Sequence, residues 1–310
     1  MYRHLFGPIR SRRLGVSLGI DLTPGKTCSF NCVYCECGRT LVLTDERREY
    51  VPTEEVIAEL KSYLSTHPRL DSITFSGSGE PTLHNGIGNI IAFLKDEFPS
   101  YRVTVLTNSS LLHREEVRAD LARADLVIPS LDAVSEEAFL RLNRPFHGLT
   151  AALMIEGIRT FCENFSGAVW LEVFIVPGVN DTPSEITTLR ETIRTLRVDK
   201  VQLNTLDRPG AVSWVEPVSP ERLRELASML GPNVEIISSG RGATPVYTGL
   251  KEARERLISE LRNHSRSVAE LEHTLKLPRD EIVSILQQLM DEDRVRVFRD
   301  ERGILYQAWD

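Results

Sequence analysis

The sequence predicts an α/β protein built on a mostly parallel sheet, and three observations carry that expectation. Short apolar runs recur at 14–22, 72–75, 102–106, 126–130, 169–176 and 201–203. Segments with apolar residues at helical spacing lie between them, as a strand–helix alternation requires. Glycine-rich and polar stretches follow the runs directly, where a parallel sheet carries its binding loops. Six units fall short of the eight that close a full barrel, so the expected shape is a partial, splayed barrel with helices outside.

Each unit has its own signals. The first run leads through Pro24-Gly25 into a cysteine-bearing loop, then a helix over 53–65 with Val56, Ile57, Leu60 and Leu64 on one face. The second and third runs precede helices over 87–96 and 112–121, and the fourth precedes helical segments over 135–142 and 151–161. The fifth is followed by Thr182-Pro183-Ser184-Glu185, a capping box with proline at the first helical position. After the sixth, Ser219-Pro220 starts a helix that ends near Gly231. Residues 1–240 are therefore expected as one barrel domain.

Residues 251–310 follow a different pattern and are expected as a small α+β domain. Helices over 253–261, 268–275 and 278–290 precede alternating segments at 295–298 and 304–306, joined by Asp300-Glu301-Arg302-Gly303. Three helices and a hairpin is the order of a winged helix, a shape used on DNA.

Charge counting argues against that use. Residues 251–310 hold 11 Lys and Arg against 13 Asp and Glu, and the third helix carries Asp280, Glu281, Asp291 and Glu292 against Arg279. DNA readers need a positive face, so a protein contact or a substrate clamp is the better expectation. Arg294, Arg296, Arg299 and Arg302 leave an opening for RNA. Residues 1–40 have the opposite sign, with six basic residues against two acidic ones. Within that segment Arg12 and Arg13 are candidate contacts for an anionic substrate, since guanidinium groups suit bidentate contact with carboxylate or phosphate.

The chain has 310 residues, 41% hydrophobic and 26% charged, with a net charge of −7, which reads as an ordinary globular composition. Five cysteines, three of them in one motif, imply no disulfide framework and favour a reducing interior. Arg12-Arg13 precedes an apolar run too short, and broken by Asp21, for an export signal. No window approaches 18 uninterrupted apolar residues. A cytoplasmic protein without membrane spans is expected.

The chemistry is concentrated in Cys28-Ser-Phe-Asn-Cys32-Val-Tyr-Cys35. Three thiols so spaced can ligate three irons of a four-iron cluster and leave the fourth open, whereas structural zinc and electron-transfer clusters take four protein ligands. Alone, the triplet also reads as a partial zinc knuckle or a redox Cys-x-x-Cys. Cys37 lies within reach of such a cluster, but it and Cys162 also read as small buried hydrophobes. A second motif, Thr74-Phe75-Ser76-Gly77-Ser78-Gly79-Glu80-Pro81, follows the second run, and its glycines let a ligand approach the backbone. A plain strand-to-helix turn is its other reading.

On these residues the chain resembles the radical S-adenosylmethionine superfamily. The resemblance implies a six-unit half barrel and a [4Fe–4S] cluster on Cys28, Cys32 and Cys35, with S-adenosyl-L-methionine chelating the open iron. A reductant such as flavodoxin or ferredoxin would supply the electron that cleaves S-adenosylmethionine to methionine and a 5'-deoxyadenosyl radical, which abstracts hydrogen from a substrate. Tyr34 matches an aromatic position near the adenine. Gly77, Ser78, Gly79 and Glu80 match a Gly-Gly-Glu-Pro motif that holds the methionine moiety, with Ser78 in place of the first glycine. Loops carrying Asn108, Ser130, Asp132 and Gly178 resemble ribose, methionine-carboxylate and adenine contacts, although Asn108 and Asp132 also suit turns and caps.

A finer resemblance rests on residues 6–15, Lys26-Thr27-Cys28, Gly38-Arg39-Thr40 and residues 204–210. These are similar to a subgroup of wyosine-synthetase-like and glycyl-radical-activase-related proteins, which implies tRNA-base modification or glycyl-radical activation as alternative activities. The chain departs from both, having no cysteine before Cys28 and no ferredoxin-like insert. A non-catalytic iron–sulfur regulator is a further alternative. Every cofactor motif lies upstream of residue 249, so a chain ending there is expected to keep its cluster and cleave S-adenosylmethionine.

Overall fold

The computed structural model describes residues 2–207, 210–237, 250–277, 279–292, 294–300 and 303–309. The junction expected between 240 and 251 lies outside these residues, as do Arg208, Pro209, Pro278, Glu301 and Arg302.

A hairpin of β1 (Leu5–Ser11) and β2 (Gly15–Ile20) opens the chain, followed by a short pair, β3 (Thr27–Cys28) and β4 (Val42–Leu43), that frames the cysteine loop. Then come α1 (Thr53–Leu64), β5 (Ser72–Phe75), α2 (Ile87–Glu97), β6 (Val103–Thr107), α3 (Glu115–Leu121), β7 (Leu126–Pro129), α4 (Glu136–Asn143) and α5 (Ala151–Asn164). The alternation continues through β8 (Ala168–Phe174), α6 (Pro183–Arg194), β9 (Lys200–Asn204), α7 (Pro220–Leu230) and β10 (Val234–Ile236). The sheet order is β1-β2-β5-β6-β7-β8-β9-β10, parallel from β2 onward. Its two edges do not pair with each other among the described residues, so the barrel is partial.

The six expected strands are present within a few residues, and the sheet gains an edge strand on each side. β1 escapes a reading of apolar runs because Gly7 and Pro8 interrupt it, and a proline that cannot donate to a ladder is tolerated at an edge. β10 is only three residues long.

Strand alternation gives the sheet two unlike faces. Leu18, Ile20, Ile73, Phe75, Val103, Val105, Val127, Leu171, Val173, Val201 and Leu203 pack against the helices in one buried apolar cluster. Each such side chain contributes about 2 kcal/mol by leaving water. Their neighbours face the concave side, and many are polar. Ser17, Ser72, Thr74 and Thr104 form a buried hydroxyl chain, and Glu172, Gln202 and Asn204 follow farther round.

The last segment comprises α8 (Leu250–Asn263), α9 (Val268–Leu275), α10 (Arg279–Asp291), β11 (Val295–Asp300) and β12 (Gly303–Ala308). It has its own apolar cluster, including Leu257, Leu261, Leu271, Ile282, Leu286 and Leu289. A capping box between Ser267 and Glu270 starts α9. Helix α8 lies against the start of the barrel, where Arg256 donates to the Pro8 carbonyl and Arg262 to the Tyr2 carbonyl, each at 3.1 Å.

Candidate active site

The cysteine loop leaves the carboxyl end of β2 and is held from several sides. Leu41 and Thr44 donate backbone N–H groups to Lys26 and Cys28, while Asn31 and Val33 donate to Asn143 and Leu142 at the end of α4. So anchored, the thiols of Cys28, Cys32 and Cys35 share one site and influence one another's ionisation. The Cys28 sulfur accepts from the Phe30 N–H at 3.5 Å and from Asn108 Nδ2 at 3.4 Å, and the Cys32 sulfur accepts from Asn143 Nδ2 at 3.5 Å.

Burial and the nearby Glu80 charge push the Cys28 thiol up to about 12, and burial with the other two sulfurs also raises Cys32. Cys35 is held low by the thiol of Cys37 and then by Lys26, against burial. Cys37 therefore stands inside the site, its sulfur 3.6 Å from the Gly77 carbonyl, whereas Cys162 is buried in the helix-facing core. The Lys26 ammonium is buried beside Cys35 and Cys37 and donates to the Gly38 carbonyl. Burial would depress its proton affinity, but the neighbouring sulfurs outweigh that and raise it.

The glycine loop after β5 lies directly against the cysteine loop. A Cβ at Gly79 would overlap the Thr27 carbonyl, and Gly77 has a φ of +131° with the Asp21 side chain where its Cβ would be. Ser78 donates its N–H (2.9 Å) and its hydroxyl (2.7 Å) to Asp21 Oδ2. Burial raises the Asp21 carboxyl, and hydrogen bonds from Ser78 and Thr23 pull it partly back. Glu80 is fully engaged: Oε1 accepts from Thr82 N–H, Thr82 Oγ1 and Thr107 Oγ1, and Oε2 from Asn108 N–H at 2.7 Å. It braces the loop against the end of β6. Burial raises it too, against those bonds.

Tyr34 stacks on Phe174 with ring centroids 4.0 Å apart, and its hydroxyl donates to Asp132 Oδ2 at 2.5 Å. Asp132 also accepts from Asn143 Nδ2 and the Phe174 N–H, and burial lifts its carboxyl to about 6. Asn108 and Ser130 sit half-buried at the ends of β6 and β7, with Asn108 bonded to Ser29 and Ser110. Gly178 lies exposed on the far loop, where its carbonyl meets Arg141, and is not gathered with the others.

Arg12 and Arg13 are both paired. Arg13 enters the concave face, where its guanidinium binds Glu172 and reaches Gln202 at 3.4 Å. Burial raises the Glu172 carboxyl, but Arg13 and Asn204 more than offset it, and the group is held low. Arg12 stands 3.7 Å from Asp207 with its side chain 35% exposed.

Residues 22–189 match the Radical SAM superfamily. The chain belongs to that superfamily. It is 32% identical over 279 residues to the UPF0026 protein MJ1312 of Methanocaldococcus jannaschii, covering 84% of this chain and 86% of that one. It is 37% identical over 234 residues to a protein named GTPase Obg from Brachyspira hyodysenteriae, covering 76% of this chain but only 34% of that relative's length. A radical SAM methyltransferase from Sphaerobacter thermophilus has the same fold, with a TM-score of 0.52 at 21% identity over 71% of this chain and 66% of that one.

This radical SAM protein is accordingly an enzyme whose cofactors are a [4Fe–4S] cluster and S-adenosylmethionine, and it needs an external reductant and a substrate. The donor set fits the cluster. Three thiols are turned to one site, N–H donors already point at two of the sulfurs, and buried Lys26 offsets the negative charge. No described helix is long and apolar enough to cross a membrane.

Sequence reasoning missed Lys26, Asp21, Asn143 and Glu172 as parts of this site. Strand alternation could have found Glu172, which shares a face with Trp170 and Phe174. The others are placed by long-range contacts that no local pattern encodes.

Proposed function

We propose that Cys28, Cys32 and Cys35 ligate the cluster, and that the loop from Gly77 to Glu80 holds the methionine end of S-adenosylmethionine for hydrogen abstraction from a polar substrate. The contact of the two loops at Gly79 and Thr27 carries this reading, because it puts the glycine backbone beside the thiols. When bound and reduced by one electron from a flavodoxin- or ferredoxin-like donor, the cofactors supply methionine and a 5'-deoxyadenosyl radical that takes a hydrogen atom from the substrate.

The chain's own residues set the stage for that step. Asp21 holds the backbone of Ser78, Glu80 fixes the loop against Asn108, and the Tyr34–Phe174 stack forms an apolar wall beside the thiols. The polar concave face beyond, with Glu172, Gln202 and Asn204, suits a substrate rich in hydrogen-bonding groups. Arg12, loosely paired and partly exposed, is the group that takes an anionic substituent, since Arg13 is occupied by Glu172.

The remaining assignments accompany this reading. Residues 251–310 form a winged-helix-like domain after a barrel domain of 1–240, and the protein works in the cytoplasm. Anaerobic reconstitution is expected to give about four irons per chain and a cluster signal that changes on adding S-adenosylmethionine, followed by 5'-deoxyadenosine on reduction. Tightly bound zinc without iron, or no 5'-deoxyadenosine, sinks the reading.

A further inference from the structure

The connection between α8 and α9 crosses the barrel at the cysteine and glycine loops. Ser78 Oγ lies 3.3 Å from the Asn263 carbonyl, and Arg266 Nη1 donates at 3.1 Å to the carbonyl of Glu36, the residue between Cys35 and Cys37. The Arg266 side chain is completely buried. Its Nε and Nη2 have no hydrogen-bond acceptor, and the Glu260 carboxylate forms only a long ion pair with it, Oε2 standing 3.8 Å from Nη2 and itself without a hydrogen-bond donor. Buried guanidinium donors left unbonded are destabilising unless a charge nearby offsets them. Glu260 lies too far for a short hydrogen bond.

A negatively charged cluster at the neighbouring thiols is a counter-charge of the right sign. Resting on the proposed ligation by Cys28, Cys32 and Cys35, we infer that Arg266 supplies a second buried cation, besides Lys26, to the cluster, and that this cation raises the cluster's reduction potential. Reduction adds one negative charge at the cluster, and a fixed positive charge in a poorly screened interior favours the more negative state. Arg266 is thus a positioning residue for charge, not a catalytic one. On this inference the carboxy-terminal unit tunes a site whose cofactor motifs all lie upstream of residue 249.

The test is an anaerobic redox titration of the full-length, reconstituted protein, following the reduced cluster by electron paramagnetic resonance. Arg266→Gln is expected to move the reduction equilibrium roughly tenfold toward the oxidised form, ~59 mV for one electron, while Arg266→Lys stays within about threefold of wild type. Glu260→Gln removes the opposing charge and is expected to shift the equilibrium in the other direction, toward reduction. Opposite signs from two neighbouring substitutions are not what loosened packing produces. Loaded variants that all titrate like the wild type overturn the role of Arg266, and so does a downward shift in Glu260→Gln. If Arg266→Gln fails to fold, Glu260→Gln reads the same field, and an unmoved potential there overturns the inference. A wild-type chain that takes up no cluster instead overturns the ligation reading beneath it.

Discussion

Buried charge is handled in two ways in this molecule. In the barrel, Glu80 accepts four hydrogen bonds, Asp132 accepts from Tyr34, Asn143 and Phe174, and Glu172 faces Arg13 and Asn204. In the carboxy-terminal unit, Glu270 has one oxygen bonded within its capping box and the other without a donor, and Arg266 and Glu260 leave donors and an acceptor unbonded. A satisfied network holds its geometry before any ligand arrives, while an unsatisfied one is completed by what binds beside it. The carboxylates around the thiols are a scaffold in this sense, and the α8–α9 connection is a responder.

The largest expected effect comes from removing the scaffold's purpose. Cys28→Ala is expected to abolish iron retention, whereas Cys162→Ala keeps it and costs about 1 kcal/mol of stability, because Cys162 only fills the helix-facing core. Iron analysis after desalting reads both. Equal loss in the two variants breaks the assignment.

Next in size is the paired charge on the concave face. Arg13→Ala leaves half-buried Glu172 with Asn204 as its remaining side-chain donor and is expected to cost about 2 kcal/mol, much of it restored by adding Glu172→Gln. Denaturant midpoints of the cycle measure it. Strictly additive losses argue that Arg13 acts by packing alone.

A matched pair of substitutions tests the comparison most directly. Glu80→Gln must turn an amide N–H₂ toward groups that are themselves donors and is expected to cost about 2 kcal/mol. Glu270→Gln keeps one accepting oxygen for Ser267 and is expected to stay within about 0.5 kcal/mol. Equal costs erase the distinction between scaffold and responder.

The pH dependence is smaller. Because burial lifts Asp132 from 3.8 to about 6, folding favours its protonated form. The stability this gives is complete below the unfolded value and is lost as pH rises toward and through the folded one. Wild type is therefore expected to lose about 1 kcal/mol between pH 5 and 7.5 relative to Asp132→Asn. A wild type that gains stability relative to Asp132→Asn as the pH rises over this range contradicts the sign. Smallest of all, Arg12→Ala is expected to change stability by less than about 0.5 kcal/mol, since its pair with Asp207 is partly exposed. Its effect belongs to substrate KM, with uncoupled S-adenosylmethionine cleavage near normal.

What the sequence discloses and what it hides follow from the range of the forces involved. The cysteine triplet and the glycine loop are local, so spacing alone makes them visible, and all six expected strands came from apolar runs. Lys26 is legible as a charge but not as a neighbour of Cys35, because its place is set by the folding back of the cysteine loop, through the β3–β4 pairing and its bond to the Gly38 carbonyl. Glu80 reads from its motif as a ligand contact, and the bonds its oxygens accept from Thr82, Thr107 and Asn108 are not legible there, since Asn108 arrives from the next strand. Arg266 lies 230 residues from Glu36, and nothing in its own segment marks it as part of the cluster environment.

The backbone of Arg266 is itself fastened to the terminal hairpin, its N–H donating to the Tyr306 carbonyl at 2.9 Å and its carbonyl accepting from the Tyr306 N–H at 2.7 Å. That bridge ties the terminal hairpin to the segment proposed to tune the cluster. Whatever grips the hairpin with different strength in the oxidised and reduced protein must shift the redox equilibrium by the same factor by which reduction shifts its grip. A partner that docked at β11–β12 with unequal affinity for the two redox states would act as a thermodynamic throttle on electron entry, without touching a single sulfur.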